Sequence, residues 1–308
     1  MNILIIGLGS IAKKHIKAIR SVVKNSDIYA LRSSMNAENI EGITNLFDLK
    51  DNTIKFDFAI ISNPTQLHYK FIEELSSHNL NLFIEKPPVH TLEDIDSLID
   101  KVNKQGVKTY VACNLRFHPC IAYLKNILSK KLEKRINEVN IYCGSFLPDW
   151  RPNKDFRKIY SANPEMGGGV HLDLFHEIDY AHWLFGTPIK VHCLKRNVST
   201  LDIKAIDYAN YILEYKNFTA NIVLNYYRRD AKRSLEIVFD DETWTVDLIK
   251  NQIITSTNEV IFNASDFSIL ETYESQMKYF INCLKTNKKQ MNNFIESIEI
   301  LKTCLINE

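Results

Sequence analysis

Short apolar runs alternate with amphipathic stretches along residues 1–118. The strand-like runs occupy residues 3–6, 28–31, 56–62, 80–85 and 108–113. Between them, residues 13–23 and 92–103 carry apolar side chains at helical spacing. Short, fully apolar strands are typical of a parallel sheet that is covered on both faces. The alternation of strands and helices therefore predicts an α/β fold with a doubly wound parallel sheet.

The remainder of the chain has a different pattern. Strand-like runs occupy residues 136–142, 189–194, 208–214, 219–225, 235–239 and 243–247. Helical periodicity covers residues 171–184 and 273–284. Because these runs lack the regular strand–helix alternation of parallel sheets, the pattern predicts a large, mainly antiparallel sheet.

A glycine-rich loop, GLGSIA at residues 7–12, lies between the first strand and the first helix. This is the context that a dinucleotide fingerprint requires. Gly7 permits the tight turn, Gly9 lets the backbone approach a pyrophosphate, and Ala12 keeps helix and strand close. Ser10 and Ile11 begin the helix, whose free N–H groups attract phosphate. The loop predicts a bound dinucleotide.

The end of the second strand bears on which dinucleotide binds. NAD-preferring proteins usually place an acidic residue there, to accept hydrogen bonds from the ribose hydroxyls. This chain has Arg32, Ser33 and Ser34 instead. A guanidinium and two hydroxyls suit a 2′-phosphate, which favours NADP over NAD. The alternative is that Arg32 is a surface residue and NAD is also used.

Polar clusters follow three of the predicted strands, where ligands of doubly wound sheets bind. The first contains Asn63, Pro64 and His68, and is expected to shape the cofactor pocket. The second is Glu85 and Lys86 before two prolines, and the third runs from Asn114 to His118. An ordinary position on a helix is the alternative for His68.

Charge, apolar run length and cysteine pattern bear on nucleic acid, membrane and metal as partners. A formal net charge of +1 over 308 residues gives no electrostatic reason to expect nucleic acid. We also expect no membrane span and no signal peptide, because no apolar run is long enough and the N-terminus lacks a basic region. The six cysteines include no CxxC pair, so we expect reduced thiols in a cytoplasmic protein and no metal site.

In order along the chain, GLGSIA (7–12), SNPTQLH (62–68), IEKPP (84–88), NLRFHP (114–119) and GGGVHLDLFHEIDYAHWLFG (167–186) resemble the Gfo/Idh/MocA oxidoreductases, named for glucose–fructose oxidoreductase and inositol dehydrogenase. The resemblance covers nearly the whole chain. It implies a Rossmann domain, placed at residues 1–118, and a C-terminal substrate-binding domain, placed at 119–308. It also implies that the open sheet of the second domain makes a homodimer or homotetramer.

The resemblance implies catalytic residues as well. Lys86 matches the lysine that polarises the substrate oxygen, and the Lys86–Pro87 bond is a candidate cis peptide. His176 matches the histidine that exchanges the hydroxyl proton. The family usually has an aspartate four residues before this histidine, where the chain has Leu172, and Asp173 stands three before. We interpret this DLxHE segment as the mark of a subgroup, in which Asp173 orients the imidazole or contacts the substrate.

Further substrate contacts are expected from two places. Arg116 lies in a segment that faces the domain junction in the family, so it is a candidate for a substrate anion or for a buried ion pair. An irregular polar–aromatic segment before the glycines contains Trp150, Arg151 and Arg157. Loops of this kind select substrates, and two arginines suit the diphosphate of a nucleotide sugar.

These features predict an NAD(P)-dependent oxidoreductase that acts on a secondary alcohol or ketone of a sugar, cyclitol or nucleotide sugar. The two arginines and the DLxHE segment favour a pathway of bacterial surface-glycan biosynthesis. The alternatives are a non-sugar reductase or an NAD-dependent glycosidase of the same fold, and a dinucleotide-binding sensor without activity.

Overall fold

A computed structural model describes residues 1–49, 53–130 and 134–307. The chain forms two compact units. The first comprises residues Met1–Asn114 and Ile269–Glu299, and the second comprises Leu115–Ser268 and Ile300–Glu308.

The first unit is built on a six-stranded parallel sheet, in the spatial order β3-β2-β1-β4-β5-β6. Its strands are β1 (Asn2–Ile6), β2 (Asp27–Leu31), β3 (Thr44–Leu46), β4 (Phe58–Ile61), β5 (Asn81–Ile84) and β6 (Thr109–Val111). Three helices connect them: α1 (Ser10–Val22), α2 (His68–Ser77) and α3 (Ile95–Gln105). All four residues of β4 are fully buried, as expected for a strand covered on both faces. The predicted doubly wound sheet is confirmed.

The second unit contains an eight-stranded sheet, in the order β14-β13-β12-β11-β7-β10-β9-β8. Its strands are β7 (Ile136–Phe146), β8 (Lys190–Arg196), β9 (Tyr208–Glu214), β10 (Thr219–Asn225), β11 (Tyr227–Phe239), β12 (Thr243–Asp247), β13 (Gln252–Thr255) and β14 (Val260–Asn263). Among the described strands of this sheet, only β7 and β10 pair in parallel. The mainly antiparallel sheet is therefore confirmed.

The helices of the second unit are α4 (Pro119–Ser129), α5 (Val170–Asp173) and α6 (Phe175–Phe185). The predicted helix over 171–184 is thus divided at Leu174, whose φ of −95° and ψ of 34° leave the helical range. Helix α6 packs against β7. Along β7, Val139, Ile141 and Cys143 are buried while Asn140 and Tyr142 are half-exposed, so the sheet has one covered and one open face.

Two further helices end the chain, α7 (Glu271–Thr286) and α8 (Phe294–Cys304). The predicted division at 118/119 differs from the observed one, because residues 269–299 belong to the first unit. Phe280 of α7 packs edge-on against Phe58 and Phe83 of the parallel sheet, with ring centroids 5.2 and 5.5 Å apart. This apolar contact returns the segment to the first unit.

Within the described part of the chain, no helix has both the length and the apolar character needed to cross a bilayer. All six cysteines are free thiols, and five of them are buried.

Candidate functional site

The glycine loop takes the form expected of a phosphate loop. Gly7 follows β1 with φ +83°, and a Cβ at this position would lie 2.6 Å from the Cα of Asn63. Gly7 is therefore required both for the turn and for the close approach of the β4–α2 turn. Ala12 is fully buried in α1, where a larger side chain would separate helix from strand.

Gly9 serves a different purpose. A Cβ at Gly9 would meet no atom of the described residues within 4 Å, so its small size is not required by the protein's own packing. Ser10 and Ile11 follow it in the first turn of α1, which contains no acidic residue. The side-chain amide of Asn63 is buried and neither its nitrogen nor its oxygen has a partner in the described residues. An open glycine, a helix N-terminus and an unsatisfied amide fit a dinucleotide pyrophosphate.

The end of β2 carries the residues predicted to select the cofactor. Arg32 is half-buried, and its Nη1 donates to the carbonyl of Glu38 at 3.1 Å and to Oδ1 of Asn45 at 2.9 Å. Ser33 and Ser34 are exposed, and Oγ of Ser34 accepts from the amide of Asn36. Arg32 therefore holds the following loop in place, beside two accessible hydroxyls.

His68 is almost fully buried at the start of α2. Its Nδ1 lies 3.2 Å from the carbonyls of Pro87 and Pro88, and its Nε2 lies 3.0 Å from the carbonyl of Asn63. Burial lowers the pKa of His68, although these carbonyls act in the opposite direction. The imidazole thus connects the turn after β4 with the turn after β5; Pro64 lies exposed in the first of these turns.

Lys86 follows β5 and is half-buried. The Lys86–Pro87 peptide bond is cis, in agreement with the prediction. The carboxylate of Glu85 accepts from the amide of Lys86 at 3.2 Å and pairs through its other oxygen with Nε2 of His15 on α1. His15 was missed by sequence reasoning, although a histidine in phase with buried Ala12 and Ile19 is a recognisable signal.

In the second unit, three glycines lead into α5. A Cβ at Gly168 would lie 2.0 Å from the carbonyl oxygen of Tyr160, so no other residue fits there. Asp173 ends α5 and is buried, and His176 is in the first turn of α6 with 9% of its surface exposed. The hydroxyl of Tyr226 donates to Oδ2 of Asp173 at 2.5 Å. The sequence pattern gave no signal for Tyr226.

Arg116 forms the second of the two contacts predicted for it, a buried ion pair. It was predicted to bind substrate or to form a buried pair, and the structure has the buried pair. Its Nε and Nη2 donate to the two carboxylate oxygens of Asp179 at 3.0 and 2.7 Å, and both side chains are fully buried. A guanidinium enclosed in this way is a structural group of the second unit, because its charge is already neutralised by a bidentate partner.

The polar–aromatic segment divides into two parts. Trp150 is 38% exposed, packs edge-on against Tyr226 with centroids 5.4 Å apart, and donates from Nε1 to Oγ of Ser145 at 2.9 Å. It is therefore placed in one cluster with Asp173. Arg151 and Arg157 are exposed, and the guanidinium of Arg157 lies 4.6 Å from the ring centre of Phe156.

Two further polar side chains of the second unit, Glu177 and His118, are buried. Glu177 is buried and receives two hydrogen bonds from Arg233, at 2.7 and 3.0 Å. His118 accepts from the amide of Cys120 and lies 3.0 Å from Oδ1 of Asn251, and burial lowers its pKa to about 4. In the described residues, no group of His, Cys, Asp and Glu side chains is arranged to hold a metal ion.

Family models match both parts of the chain. Residues 1–113 match the model described as "Oxidoreductase family, NAD-binding Rossmann fold", and residues 121–245 match the "GFO/IDH/MocA C-terminal domain".

Individual proteins are also similar. The chain is 27% identical to the uncharacterized oxidoreductase YrbE of Bacillus subtilis (strain 168), over 72% of this chain and 65% of YrbE. The match thus spans slightly less than two thirds of the length of YrbE. It is 23% identical to scyllo-inositol 2-dehydrogenase (NAD(+)) of the same organism, over 75% of this chain and 68% of that protein. The WlbA dehydrogenase from Bordetella pertussis, solved with NADH and UDP-GlcNAcA, has the same fold, with a TM-score of 0.83 at 18% identity over 98% of this chain and 92% of WlbA.

Proposed function

Since the chain belongs to the Gfo/Idh/MocA oxidoreductase family, we propose that it transfers hydride between a nicotinamide dinucleotide and the carbon of a secondary alcohol or ketone in a sugar-type substrate. The observation that carries the proposal is the position of Lys86. It follows a buried strand at the carboxyl edge of the parallel sheet, in the same unit as a phosphate loop with room for a pyrophosphate.

The chemistry divides among a few side chains. The bound dinucleotide supplies the hydride acceptor or donor at its nicotinamide C4. The ammonium group of Lys86 donates a hydrogen bond to the substrate oxygen and polarises it. His176 takes the hydroxyl proton during oxidation and returns it during reduction. Asp173, held by Tyr226, presents a fixed carboxyl group that orients the imidazole or contacts the substrate. We further propose that its DLxHE segment marks a subgroup.

We propose NADP as the preferred cofactor, with NAD as an alternative. Arg32, Ser33 and Ser34 stand where an NAD-preferring protein has an acid, and the two hydroxyls are accessible. Gly7, Gly9, Ser10, Ile11 and Ala12 hold the pyrophosphate, and Asn63, Pro64, His68 and Glu85 shape the surrounding turns.

We propose a nucleotide sugar, in a pathway of bacterial surface-glycan biosynthesis, as the finer identity of the substrate. Trp150 offers an exposed aromatic ring in one cluster with Asp173, and Arg151 and Arg157 provide exposed cations on the same segment. Aromatic and bidentate cationic groups suit a sugar ring and a diphosphate. WlbA, which has a similar fold, was solved in complex with UDP-GlcNAcA, and this supports a nucleotide sugar as the class of substrate.

We propose a homodimer or homotetramer formed through the open face of the eight-stranded sheet. On that face Ile212 and Leu194 are 42% and 51% exposed, on paired strands. Exposed apolar side chains on a sheet face are typical of interfaces.

The buried free thiols suit a reducing compartment, and we propose that the protein is located in the cytoplasm.

The test is a cofactor-reduction screen of nucleotide sugars and free polyols, with NAD and NADP in parallel. We expect multiple turnovers with one substrate class, and we expect Lys86→Ala to bind dinucleotide normally but lose turnover. Lys70→Ala, an exposed lysine of α2, is the matched control. Reduced cofactor that never leaves the protein would favour a glycosidase, and normal dinucleotide binding without turnover on any substrate would favour a sensor.

A further inference from the structure

A buried histidine is joined to the turn that carries Lys86. His15 lies on α1 with no exposed surface, and its Nε2 pairs with Oε1 of Glu85. Its ring packs edge-on against Phe83 with centroids 5.0 Å apart and tilts against Tyr273 at 5.6 Å. Two aromatic rings therefore flank the imidazole that reaches Glu85.

Glu85 uses its two oxygens for different partners. One oxygen pairs with His15, and the other accepts from the backbone amide of Lys86 at 3.2 Å. A buried carboxylate is costly unless its oxygens are hydrogen-bonded, so both contacts are needed to keep Glu85 in place. One side chain thus connects α1 with the backbone of the next residue after β5.

We propose that His15 and Glu85 form a strut that positions Lys86 for hydride transfer; this inference rests on the proposed role of Lys86. The amide of Lys86 belongs to the same residue as the reactive ammonium, so fixing that amide restricts the direction in which the side chain leaves the backbone. Helix α1 also bears the phosphate loop at its N-terminus. The strut therefore sets the position of the lysine relative to the element that binds the dinucleotide.

The chemistry of the pair explains why a histidine occupies this position. The Nδ1 atom of His15 is buried and has no hydrogen-bond partner among the described residues. An apolar residue would suit the Phe83 and Tyr273 rings better if packing were the only requirement. The polar ring is retained for its Nε2 contact with Glu85, and the unsatisfied Nδ1 is the cost of that contact.

Three variants test the strut. His15→Phe fills the aromatic cavity without a donor, Glu85→Gln removes the charge, and His15→Gln restores an amide donor at a reach similar to that of Nε2. We expect kcat to fall by about 10- to 100-fold in the first two, because small misplacements of a catalytic group cost this much. The dinucleotide Kd is expected to stay within about threefold, and His15→Gln is expected to recover most of kcat. The kcat of the His15→Phe/Glu85→Gln double variant is expected to be no lower than that of the slower single variant. Each substitution breaks the same His15–Glu85 contact, so their effects do not add.

A matched control separates positioning from general loss of stability. Phe280→Leu weakens the same unit through the ring of Phe83 but leaves the Glu85 contacts intact. If kcat falls equally in Phe280→Leu and His15→Phe at the same loss of melting temperature, or if the double variant shows the product of the two single losses, the strut is overturned.

A second readout does not depend on turnover. Hydrogen exchange of the Lys86 amide is expected to be about tenfold faster in His15→Phe than in the parent protein and normal in His15→Gln, because that amide loses its fixed acceptor. Unchanged exchange in His15→Phe overturns the strut even if the protein proves to have another activity. Faster exchange in a protein without turnover supports the strut and refutes the proposed function.

Discussion

The hydroxyl of Tyr226 donates a 2.5 Å hydrogen bond to the carboxylate of Asp173, and both side chains are buried. Burial raises the pKa of Tyr226 well above its usual value, so the phenol stays protonated and remains a donor. The carboxylate thus has a permanent partner that lies 53 residues away in the chain.

Tyr226→Phe leaves the buried carboxylate of Asp173 without this donor. We expect the free energy of unfolding to fall by about 1–3 kcal/mol, because a short buried hydrogen bond to the carboxylate is lost. Urea titration of the full chain measures it. Tyr227→Phe is the matched control, because the neighbouring tyrosine is only half-buried, and it should change stability by less than about 0.5 kcal/mol. Equal effects in the two variants would show that the Asp173 contact contributes nothing specific.

Arg116→Met removes one partner of a fully enclosed ion pair. We expect a loss of about 3–5 kcal/mol, because the buried carboxylate of Asp179 loses its bidentate guanidinium partner. The Arg116→Met/Asp179→Leu double variant should recover much of this loss, again by urea titration. Arg157→Met, at an exposed arginine, serves as the control and should be nearly neutral. A normal stability of Arg116→Met with weakened substrate binding would restore the substrate-binding role.

The features that could be predicted from the sequence depend on local spacing. The glycine loop, the strand before it and the helix after it are contiguous, and so is the cis Lys86–Pro87 turn at the end of β5. A fingerprint of this kind is set by the phosphate-binding backbone itself, which is why its residues stand out in a single sequence.

The missed features are pairings between distant residues. Arg116 and Asp179 are 63 residues apart, and His15 and Glu85 are 70 apart. Neither periodicity nor residue type specifies which acid a buried cation will meet, since that choice is made by tertiary packing. The return of residues 269–299 to the first unit has the same origin, because the apolar face of α7 gives no indication of which sheet it covers.

Glycine substitutions separate folding from cofactor binding. Gly9 has φ −84° and open space around a Cβ, so Gly9→Ala should keep normal stability while weakening dinucleotide binding by about tenfold or more, through collision with the pyrophosphate. Gly7→Ala should instead destabilise the protein by at least about 1–3 kcal/mol, because φ is +83° and Asn63 is too close. Thermal unfolding and dinucleotide titration distinguish the two. Normal binding in Gly9→Ala would remove the loop from the cofactor site.

The stability of the protein should depend on the protonation of His118. Burial lowers its pKa from 6.5 to about 4, so the folded state favours the neutral ring. The resulting stability is fully present above pH 6.5 and is lost as the pH falls from there towards 4, at up to about 1.4 kcal/mol per pH unit. His118→Asn keeps a good N-cap for α4 but cannot titrate, so its stability should fall less steeply over this range. His78→Asn, at an exposed histidine, is the matched control.

Arg32 provides the sharpest test of cofactor choice, because it has two separable functions. Its side chain holds the following loop through Asn45 and, in our proposal, also pairs with a 2′-phosphate. Arg32→Ala removes both functions, whereas Asn45→Ala removes one of the two contacts that hold the loop and keeps the guanidinium. We expect the KM for NADP to rise by about 10- to 100-fold in Arg32→Ala, with the KM for NAD changed less than about threefold, because only NADP carries the phosphate. Asn45→Ala should leave the ratio of the two KM values unchanged. Equal losses for NADP and NAD in both variants would assign Arg32 to the loop alone and withdraw the preference for NADP.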